Sequence, residues 1–374
     1  MEPFDSDTYY YPNDNTTDTS FNDSYWDYEE PTSSLPYSNI YLPLLYFLMF
    51  LMGFLGNLFV ITVIESSSKR RARLVDTFVV NLALADLVFV FTLPLWAVSS
   101  SQDGNWPFGN LLCKLSSYII AVNRFSNIFF LTCMSVDRYL AVVRLMDSHF
   151  LRSSQCVSLS CGLVWLVSLS LGTVTLVCRG VQIHKDKFVC QDDETSSFFL
   201  GLSLSTGFLT FAMPVVVILF CYCSILTHLR RHFAGGVANN PRVKARHRHS
   251  LKMVFAIILA FMVSWLPFNI FKSIFVGFKL FGTNPSTETQ TALTTGLTLS
   301  CCLAFLNSCV NPVIYLCLDH HFRRLAKNLF LKYVGSGGLN QSNASSTDFT
   351  FNGTSESSGT TFTRTRLQSF DQKD

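Results

Sequence analysis

IYLPLLYFLMFLMGFLGNLFVITVI, residues 40–64, is a run of 25 positions without a single charged side chain. A helix needs about 20 mostly apolar residues to cross the hydrocarbon of a bilayer. Six further predominantly apolar stretches follow, at residues 74–98, 109–143, 156–177, 197–229, 251–278 and 288–318. Because lipid offers no partner to backbone N–H and C=O groups, each stretch is predicted to be a helix. The sequence therefore predicts an all-α bundle of seven transmembrane helices rather than the amphipathic core helices of a soluble protein.

Charge is scarce and is distributed unevenly along the chain. Charged residues make up 14% of the sequence, whereas soluble domains carry about 25%. Residues 1–39 contain nine Asp or Glu and no Lys or Arg. Lysine and arginine are concentrated instead in the segments after the first, third, fifth and seventh apolar stretches. Since cytoplasmic segments of membrane proteins are enriched in these two residues, we expect the N-terminus outside the cell and the C-terminus inside.

Three regions follow from this pattern. Residues 1–39 are expected to form a disordered, acidic extracellular tail, and residues 40–332 a single seven-span domain. The last part of that domain, residues 319–332, has apolar and basic side chains at helical spacing, which predicts a short amphipathic helix on the membrane surface. Residues 333–374 are rich in Ser and Thr and are expected to be a disordered cytoplasmic tail. That tail is either inert or a phosphorylation platform, and we favour the platform.

The N-terminal tail contains candidate sites for two modifications. Asn15 and Asn22 each begin an Asn-X-Ser/Thr sequon on the predicted extracellular side, so both are candidate glycosylation sites. Five tyrosines lie among acidic residues, a setting that favours sulfation: Tyr9, Tyr10, Tyr11, Tyr25 and Tyr28. An acidic tail of this kind could attract a basic protein by long-range electrostatics, or could serve solubility alone.

Polar side chains inside the apolar stretches form one predicted cluster. Such residues are costly in lipid and are usually functional. Asp86 lies in the middle of the second stretch, and Asn123 and Asn127 are four residues apart, so they share a helix face. The other members of the predicted cluster are Asn57, Asn307, Ser308 and Asn311. Their oxygens could surround a sodium ion at Asp86 or could form a hydrogen-bonded cluster without an ion, and we expect no other cofactor.

Three short motifs lie in order along the third, sixth and seventh stretches. Asp137-Arg138-Tyr139 lies near the end of the third stretch, and Ser264-Trp265-Leu266-Pro267 lies in the sixth, four residues after Phe261. Asn311-Pro312-Val313-Ile314-Tyr315 lies near the end of the seventh. Each motif alone is weak evidence. All of them together, each on its expected span, resemble the rhodopsin-like G-protein-coupled receptors over residues 40–332.

The resemblance implies a conformational switch. Proline removes a helix hydrogen bond and bends the helix, so Pro267 and Pro312 would allow helix ends to swing when the packing changes. Arg138, restrained by Asp137 in the inactive state, would then face a heterotrimeric G protein. The implied switch residues are Asp137, Arg138, Tyr139, Tyr222, Phe261, Trp265, Pro267, Asn311, Pro312 and Tyr315.

Two of the 12 cysteines differ from the rest in position. Most lie inside the apolar stretches, where cysteine acts as a small packing residue. Cys113 and Cys190 lie on the predicted extracellular side, and the family resemblance implies that they pair and tether the loop before the fifth span. Alternating apolar residues over 179–190 predict a β-hairpin in that loop.

Sequence around the predicted outer face narrows the ligand. Thr92-Leu93-Pro94-Leu95-Trp96 and Trp106-Pro107-Phe108-Gly109 resemble chemokine and chemoattractant receptors. The resemblance is incomplete, because many chemokine receptors have a second outer disulfide for which this chain has no cysteines. No Lys lies in residues 288–318 for a retinal Schiff base, and no acid lies in residues 117–122 for an amine. The expected ligand is therefore an extracellular peptide or a chemokine-like protein.

The predicted ligand pocket is cationic, in contrast to the acidic tail. Its candidate residues are Trp96, Lys114, Arg124, Arg179 and Lys272. Arg124 is expected to lie deepest, and it either pairs with Asp86 and displaces the cation or binds a ligand carboxylate, for which arginine is well suited. Both alternatives remain open at this point. The tail and the pocket together suggest two-part recognition, with a basic ligand body on the tail and an anionic ligand terminus in the pocket.

The expected function is that of a multi-pass plasma-membrane receptor. By resemblance to chemoattractant receptors it would activate heterotrimeric G proteins of the inhibitory class and would bind arrestin through its phosphorylated tail. Its other partner is the lipid bilayer; no nucleic-acid partner and no catalytic activity are expected. The alternatives are a non-signalling scavenger receptor and a membrane transporter. The intact Asp137-Arg138-Tyr139 motif disfavours the first, and the lack of an internal repeat disfavours the second.

Overall fold

The computed structural model describes residues 35–66, 73–143, 153–184, 186–192, 196–234 and 241–337. The helices and strands in these residues are α1 Ser38–Glu65, α2 Leu74–Val90, α3 Leu93–Ser101, α4 Gly109–Val142, α5 Ser154–Cys178, β1 Arg179–His184, β2 Lys187–Asp192, α6 Ser197–Ala234, α7 Pro241–Leu280, α8 Thr287–Leu318 and α9 His320–Gly337. By internal contacts the chain divides into two units, Met1–Leu329 and Phe330–Asp374. The first unit contains all of the elements through most of α9. The described part of the second unit is the end of α9.

Seven segments are long and apolar enough to cross a bilayer, which confirms the predicted seven-span, all-α architecture. Six of them are single helices, and α2 and α3 together form the second span, Leu74–Ser101. The hydroxyl of Thr92, between these two helices, donates to the Phe89 carbonyl at 2.8 Å. Pro94 follows in the first turn of α3 and has no N–H to continue the α2 hydrogen-bond pattern. The second span is therefore interrupted at this point.

Burial in the bundle is reversed relative to that of a soluble protein. Asn57, Asp86 and Ser126 are 0% exposed, whereas Leu159 is 73% exposed and Phe208 is 68% exposed. In water this arrangement would be costly on both counts, because charged side chains are rarely fully buried and large apolar side chains rarely point outward in such numbers. In hydrocarbon the same arrangement is favourable, because lipid solvates the apolar side chains and the polar ones find partners inside.

Several helices extend beyond the predicted apolar stretches. α6 continues to Ala234 and α7 begins at Pro241, whereas the apolar stretches were predicted at 197–229 and 251–278. The short helix after the seventh span, α9, is present as predicted and continues to Gly337. The added turns contain basic and polar residues. An apolar-run criterion stops at such residues, although they form helix readily in water.

The predicted hairpin is present between α5 and α6, and it continues to Asp192 rather than ending at Cys190. Its register pairs Arg179 with Asp192 and Val181 with Cys190. The structure joins Cys190 to Cys113, which lies in the second turn of α4. We call this end of the bundle the hairpin end. The opposite end, where α4 finishes near Arg138, is called the Arg138 end.

Side chains in the loop before α4 and in the first turn of α4 hold both strands of the hairpin. The Asn110 carboxamide oxygen accepts from the Val181 N–H at 3.1 Å, and the Asn105 oxygen accepts from the Phe188 N–H at 3.1 Å. The Trp106 indole ring packs against Cys113 and Cys190 in a small buried cluster. The disulfide and these bonds fix the hairpin to the start of α4.

Candidate functional site

A fully buried carboxylate, Asp86 on α2, is the centre of the polar cluster. Its Oδ1 accepts from Asn123 Nδ2 and Asn127 Nδ2, each at 2.9 Å, and from Ser308 Oγ at 2.7 Å. Its Oδ2 accepts from Asn311 Nδ2 at 2.9 Å. The cluster thus joins α2, α4 and α8 through one ionisable group. The predicted grouping of these residues around Asp86 is present in the structure.

Asn57 joins this cluster through the Ser308 backbone without touching the carboxylate, and Asn307 is a buried residue of α8. Asn57 Nδ2 donates to the backbone carbonyls of Gly53 and Ser308, each at 2.9 Å. The carboxamide oxygens of four buried residues have no hydrogen-bond partner in the described part of the chain: Asn57, Asn127, Asn307 and Asn311. Leaving buried acceptors unsatisfied is costly. The residues present therefore fit a small, oxygen-liganded cation beside a single negative charge, and they also fit ordered water.

The Arg138 end contains the predicted ion pair. Arg138 Nη2 lies 2.8 Å from Asp137 Oδ2, and both side chains are mostly buried. The Tyr222 ring packs against Phe255 with ring centroids 5.7 Å apart, which joins α6 to α7. Within the described residues, the hydroxyls of Tyr222 and Tyr315 are buried and lack hydrogen-bond partners. Two tyrosine donors are therefore available for new bonds when the helices rearrange.

A row of aromatic rings connects α6 to the part of α7 that contains Pro267, where proline is expected to bend the helix. The Phe261 and Trp265 ring centroids are 6.1 Å apart, one turn apart on α7. Phe211 stacks on Phe261 at 6.3 Å, and Phe268 meets Trp265 edge to face at 5.9 Å. Pro267 lies inside α7 between Trp265 and Phe268. A shift of the Trp265 ring would therefore change the packing around Pro267 and the contact of α7 with α6.

Arg124 lies against this aromatic row. Its guanidinium carbon is 5.8 Å from the Trp265 ring centroid and 4.8 Å from the Phe125 centroid, within cation–π range. No hydrogen bond or ion pair joins Arg124 to another residue that the structure describes. Asp86 instead takes its bonds from the amides and from Ser308. The pairing of Arg124 with Asp86, one of the two sequence-based alternatives, is therefore absent from this structure.

Three other predicted pocket residues, Trp96, Arg179 and Lys114, have structural partners. The Trp96 ring packs on Trp106 at 4.9 Å, and the Arg179 guanidinium lies 5.5 Å from the Trp96 ring centroid. Lys114 Nζ donates to the Leu176 carbonyl at 2.9 Å. This bond gives Lys114 a role in the contact between α4 and the end of α5, which the sequence did not indicate.

Asp192, the last residue of β2, was missed by the sequence analysis. Lys272 Nζ donates to its Oδ2 at 2.8 Å, and Arg179 Nη1 donates to its Oδ1 at 3.2 Å. Burial raises the pKa of Asp192, but the nearby positive charges of Arg179 and Lys272 outweigh that effect and lower the pKa to about 2. Asp192 is thus a firmly ionised carboxylate among the pocket cations. The hairpin pattern could have found it had the strand been extended to the cross-strand partner of Arg179.

A small cavity of about 50 Å³ lies beside this ion pair. Asp192 and Lys272 line it together with the apolar side chains of Val174, Leu200 and Val276. A few atoms of apolar substituent would fill it, next to a Lys–Asp pair.

A second buried ion-pair cluster lies at the Arg138 end. Arg73, at the start of α2, donates from Nη2 to Asp76 Oδ1 at 2.8 Å and from Nη1 to Asp319 Oδ1 at 3.3 Å. Burial raises the pKa of Asp319, yet the bonds and charge of Arg73 lower it overall. One arginine therefore joins the start of α2 to the turn between α8 and α9.

Some predicted site residues lie outside the described part of the chain. These are Asn15, Asn22, Tyr9, Tyr10, Tyr11, Tyr25 and Tyr28. The glycosylation and sulfation of the N-terminal tail and the phosphorylation of residues 338–374 therefore stay predictions.

A seven-span bundle with a buried polar hub, an Arg–Asp pair at one end and basic residues around Asp192 at the other has the parts of a membrane receptor that transmits a change of shape. The chain matches the family model of the 7 transmembrane receptor (rhodopsin family) over residues 56–315, and it belongs to that family. The family resemblance inferred from the motifs is thus confirmed. The protein is a multi-pass membrane receptor of the G-protein-coupled class and not an enzyme.

Similar proteins cover most of the chain. It is 41% identical over 298 residues to "Probable G-protein coupled receptor 25" of Mus musculus, covering 79% of this chain and 80% of that one. It is 37% identical over 310 residues to "G-protein coupled receptor 15" of Mus musculus, covering 80% and 83% of the two chains. It is 38% identical over 320 residues to "Apelin receptor A" of Danio rerio, covering 82% and 85%. All three are named as receptors, in agreement with the family.

Proposed function

We propose that this receptor binds an extracellular peptide or chemokine-like protein whose anionic terminus enters the pocket at the hairpin end, and that it activates the inhibitory class of heterotrimeric G proteins. The observation that carries the proposal is Arg124. Its guanidinium has no hydrogen-bond or ion-pair partner among the described residues, although the charge of Asp192 acts on it, and it lies over Trp265, two residues before Pro267 on α7. An anion bound to Arg124 would lie beside Trp265, one of the predicted switch residues.

The charge of the pocket supports an anionic ligand group. Arg124, Arg179 and Lys272 carry three positive charges, and Asp192 supplies one negative charge against them. The remaining excess of positive charge favours a carboxylate, which guanidinium groups bind through paired, charge-assisted hydrogen bonds. Relatives named as apelin receptors are consistent with a ligand that is neither light nor a monoamine.

The orientation and the tail form the second half of the proposal. The positive-inside distribution supports an orientation with the hairpin end outside the cell and the Arg138 end inside. The acidic N-terminal tail, glycosylated at Asn15 and Asn22 and sulfated on its tyrosines, would then meet the basic body of the ligand first. The Ser/Thr-rich C-terminal tail, once phosphorylated, would bind arrestin inside the cell.

A sodium ion at Asp86 is the proposed allosteric ligand of the polar hub. Asp86 would supply the charge, and the unpaired carboxamide oxygens and Ser308 would supply the remaining donors. Such an ion would join α2, α4 and α8 in one arrangement of the helices and would be released when they move apart. It would therefore stabilise the inactive state.

The pocket half is tested with a panel of basic chemokines and peptides, each carrying either a free C-terminal carboxylate or a C-terminal amide. G-protein activation is measured for the wild type, Arg124→Gln and Lys272→Gln, with Lys187→Gln as the matched control. Lys187 lies on the same hairpin but is exposed and 4.0 Å from Asp103. Losing a charge-assisted bond costs about 1.5–3 kcal/mol, so potency of the carboxylate form falls about 10- to 100-fold in the two pocket variants.

Two outcomes would change the proposal. If Arg124→Gln and Lys272→Gln leave potency unchanged while Tyr-to-Phe changes in the tail reduce it, the pocket half is wrong. If a ligand binds with high affinity but no G protein responds, the scavenger receptor becomes the better account.

A further inference from the structure

The Asp192–Lys272 ion pair joins the hairpin, which a disulfide fixes to α4, to α7, the helix that contains Pro267. Asp192 lies two residues after Cys190, whose disulfide fixes β2 to α4. Lys272 lies on α7, five residues beyond the bend at Pro267. Its side chain is 28% exposed and that of Asp192 is 25% exposed, so solvent only partly screens the pair. The ion pair therefore connects the hairpin end of α7 to β2, which the disulfide fixes to α4.

The position of Lys272 on α7 connects this pair to the switch. Lys272 is seven residues after Trp265, which is about two helical turns, so the two side chains lie on the same face of α7. Trp265 packs on Phe261 and lies under Arg124. A change in the contact of Lys272 therefore acts on the same face of α7 that contributes Phe261 and Trp265 to the aromatic row.

We propose that Asp192 is a built-in counter-ion that ties Lys272 to the hairpin and keeps the receptor inactive, and that a ligand carboxylate activates the receptor by replacing Asp192 at Lys272. This inference rests on the proposed function, in that it needs a carboxylate to enter the same pocket. It adds that Asp192 competes with the ligand carboxylate for Lys272 and that the Asp192–Lys272 contact breaks on activation.

The chemistry of the exchange makes it possible at low cost. One carboxylate replaces another at Lys272, so the ammonium group is never left without a counter-charge. Asp192 is not stranded either, because Arg179 opposite it on β1 still donates to its other oxygen. The cavity beside the pair, lined by Val174, Leu200 and Val276 and also by Thr175 and Ser203, leaves room for a few atoms of the incoming group. Removing one partner of a charge pair without such compensation would be far more costly.

The test measures constitutive activity, which needs no ligand. Basal G-protein activation, normalised to surface expression, is compared for the wild type, Asp192→Asn, Lys272→Gln and the double variant. Asp103→Asn and Lys187→Gln form the matched control, because they neutralise an exposed pair between Lys187 on the same hairpin and Asp103 in the loop before α4. The Arg138→Ala variant in the Asp192→Asn background is the negative control. It measures the part of the signal that does not require Arg138.

We call the Asp192–Lys272 ion pair the tether. Asp192→Asn and Lys272→Gln are each expected to raise basal activity about fivefold, the lower range of a typical allosteric coupling. The double variant should be no more active than either single variant, because both remove the same contact. The exposed-pair controls should match the wild type. Basal activity of Asp192→Asn and Lys272→Gln equal to that of the wild type, at equal surface expression, would overturn the inference.

Failure of this inference is distinguishable from failure of the proposed function. The ligand panel tests the proposed function in the wild type, and its responses must be lost in Arg138→Ala. If the panel gives a response but the basal activity of Asp192→Asn is unchanged, the inference about the Asp192–Lys272 contact is wrong and the proposed function still stands. A rise in basal activity that Arg138→Ala abolishes supports the tether, even if no panel member acts through the pocket.

Discussion

At the scale of single residues, the position of one carboxylate organises the interior. Asp86 is 0% exposed and receives four hydrogen bonds from three amides and a hydroxyl. In hydrocarbon an isolated carboxylate would be too costly to keep charged, so the neighbouring donors are what allow it to remain there. The sequence predicted this set because the amides recur four residues apart on one helix face. Which amide oxygens remain without a partner follows only from the packed structure.

The sodium proposal predicts ion-dependent stability. Sodium chloride should raise the thermal unfolding temperature of the detergent-purified wild type relative to choline chloride at equal ionic strength, because a bound ion stabilises the state that binds it. Asp86→Asn removes the charge at nearly constant size, so this sodium-dependent rise should disappear. Asp103→Asn, an exposed carboxylate, is the control and should keep it. An equal sodium effect in Asp86→Asn and in the wild type would place the ion elsewhere.

At the scale of helices, close crossings fix how the spans pack. A Cβ on Gly53 of α1 would lie 2.6 Å from Val90 Cγ1 and 3.4 Å from Cys309 Sγ. Val90 is fully buried and its branched side chain has little freedom to move. The Gly53 carbonyl also accepts from Asn57, so this crossing sets the position of a residue in the polar hub. α1, α2 and α8 are therefore fitted to one another at this glycine.

Gly53→Ala is expected to destabilise the receptor by about 1–3 kcal/mol, the usual cost of forcing extra volume into a packed interior. Thermal unfolding in detergent measures the loss. Gly162→Ala on α5 is the matched control, since nothing lies within 4 Å of a Cβ at that position. The control should be neutral or stabilising, because alanine favours helix over glycine by about 1 kcal/mol. Equal effects of the two changes would show that the crossing tolerates the added carbon.

The Arg73 cluster predicts a pH-dependent junction between α2 and α9. The pKa of Asp319 is lower in the folded protein than the value of about 3.9 for a free aspartate. Its ionised form therefore stabilises the fold above that value, and this contribution is lost as the pH falls through the folded pKa. In Arg73→Gln the pKa of Asp319 rises towards that of a free aspartate, so the variant should lose less stability on acidification than the wild type, and the stability difference between the two should narrow as the pH falls.

Thermal unfolding in detergent at a series of acidic pH values measures this effect. Lys327→Gln is the control, because Lys327 is an exposed cation on α9. It should follow the wild-type pH profile. Superimposable profiles for Arg73→Gln and the wild type would show that Arg73 does not set the charge state of Asp319.

At the scale of the whole molecule, the sequence predicted what depends on local pattern and missed what depends on distant pairing. Seven apolar runs, the hairpin and the amphipathic α9 all follow from periodicity within one segment. The ion pairs of Asp192 with Lys272 and of Arg73 with Asp319 join residues 80 and 246 positions apart. No local pattern brings such residues together, because their contact depends on how the helices pack.

The same distinction explains the two alternatives for Arg124. Its place near Asn123 on α4 made Asp86 a reasonable partner from sequence alone. In the bundle the neighbouring face of α4 supplies Asn123 and Asn127 to Asp86, while Arg124 points to Trp265. A helix turns by about 100° per residue, so adjacent residues face different surroundings. One position along α4 therefore separates Asn123, which binds Asp86, from Arg124, which lies against the aromatic row.

The central claim is that binding at the hairpin end opens the Arg138 end to a G protein. Inhibitory G-protein dissociation in cells expressing the full chain, across the panel of basic chemokines and peptides, tests it most directly beside an Arg138→Ala control. The account predicts a concentration-dependent response to at least one panel member, and the loss of that response in Arg138→Ala at equal surface expression. A response that persists undiminished in Arg138→Ala would contradict it.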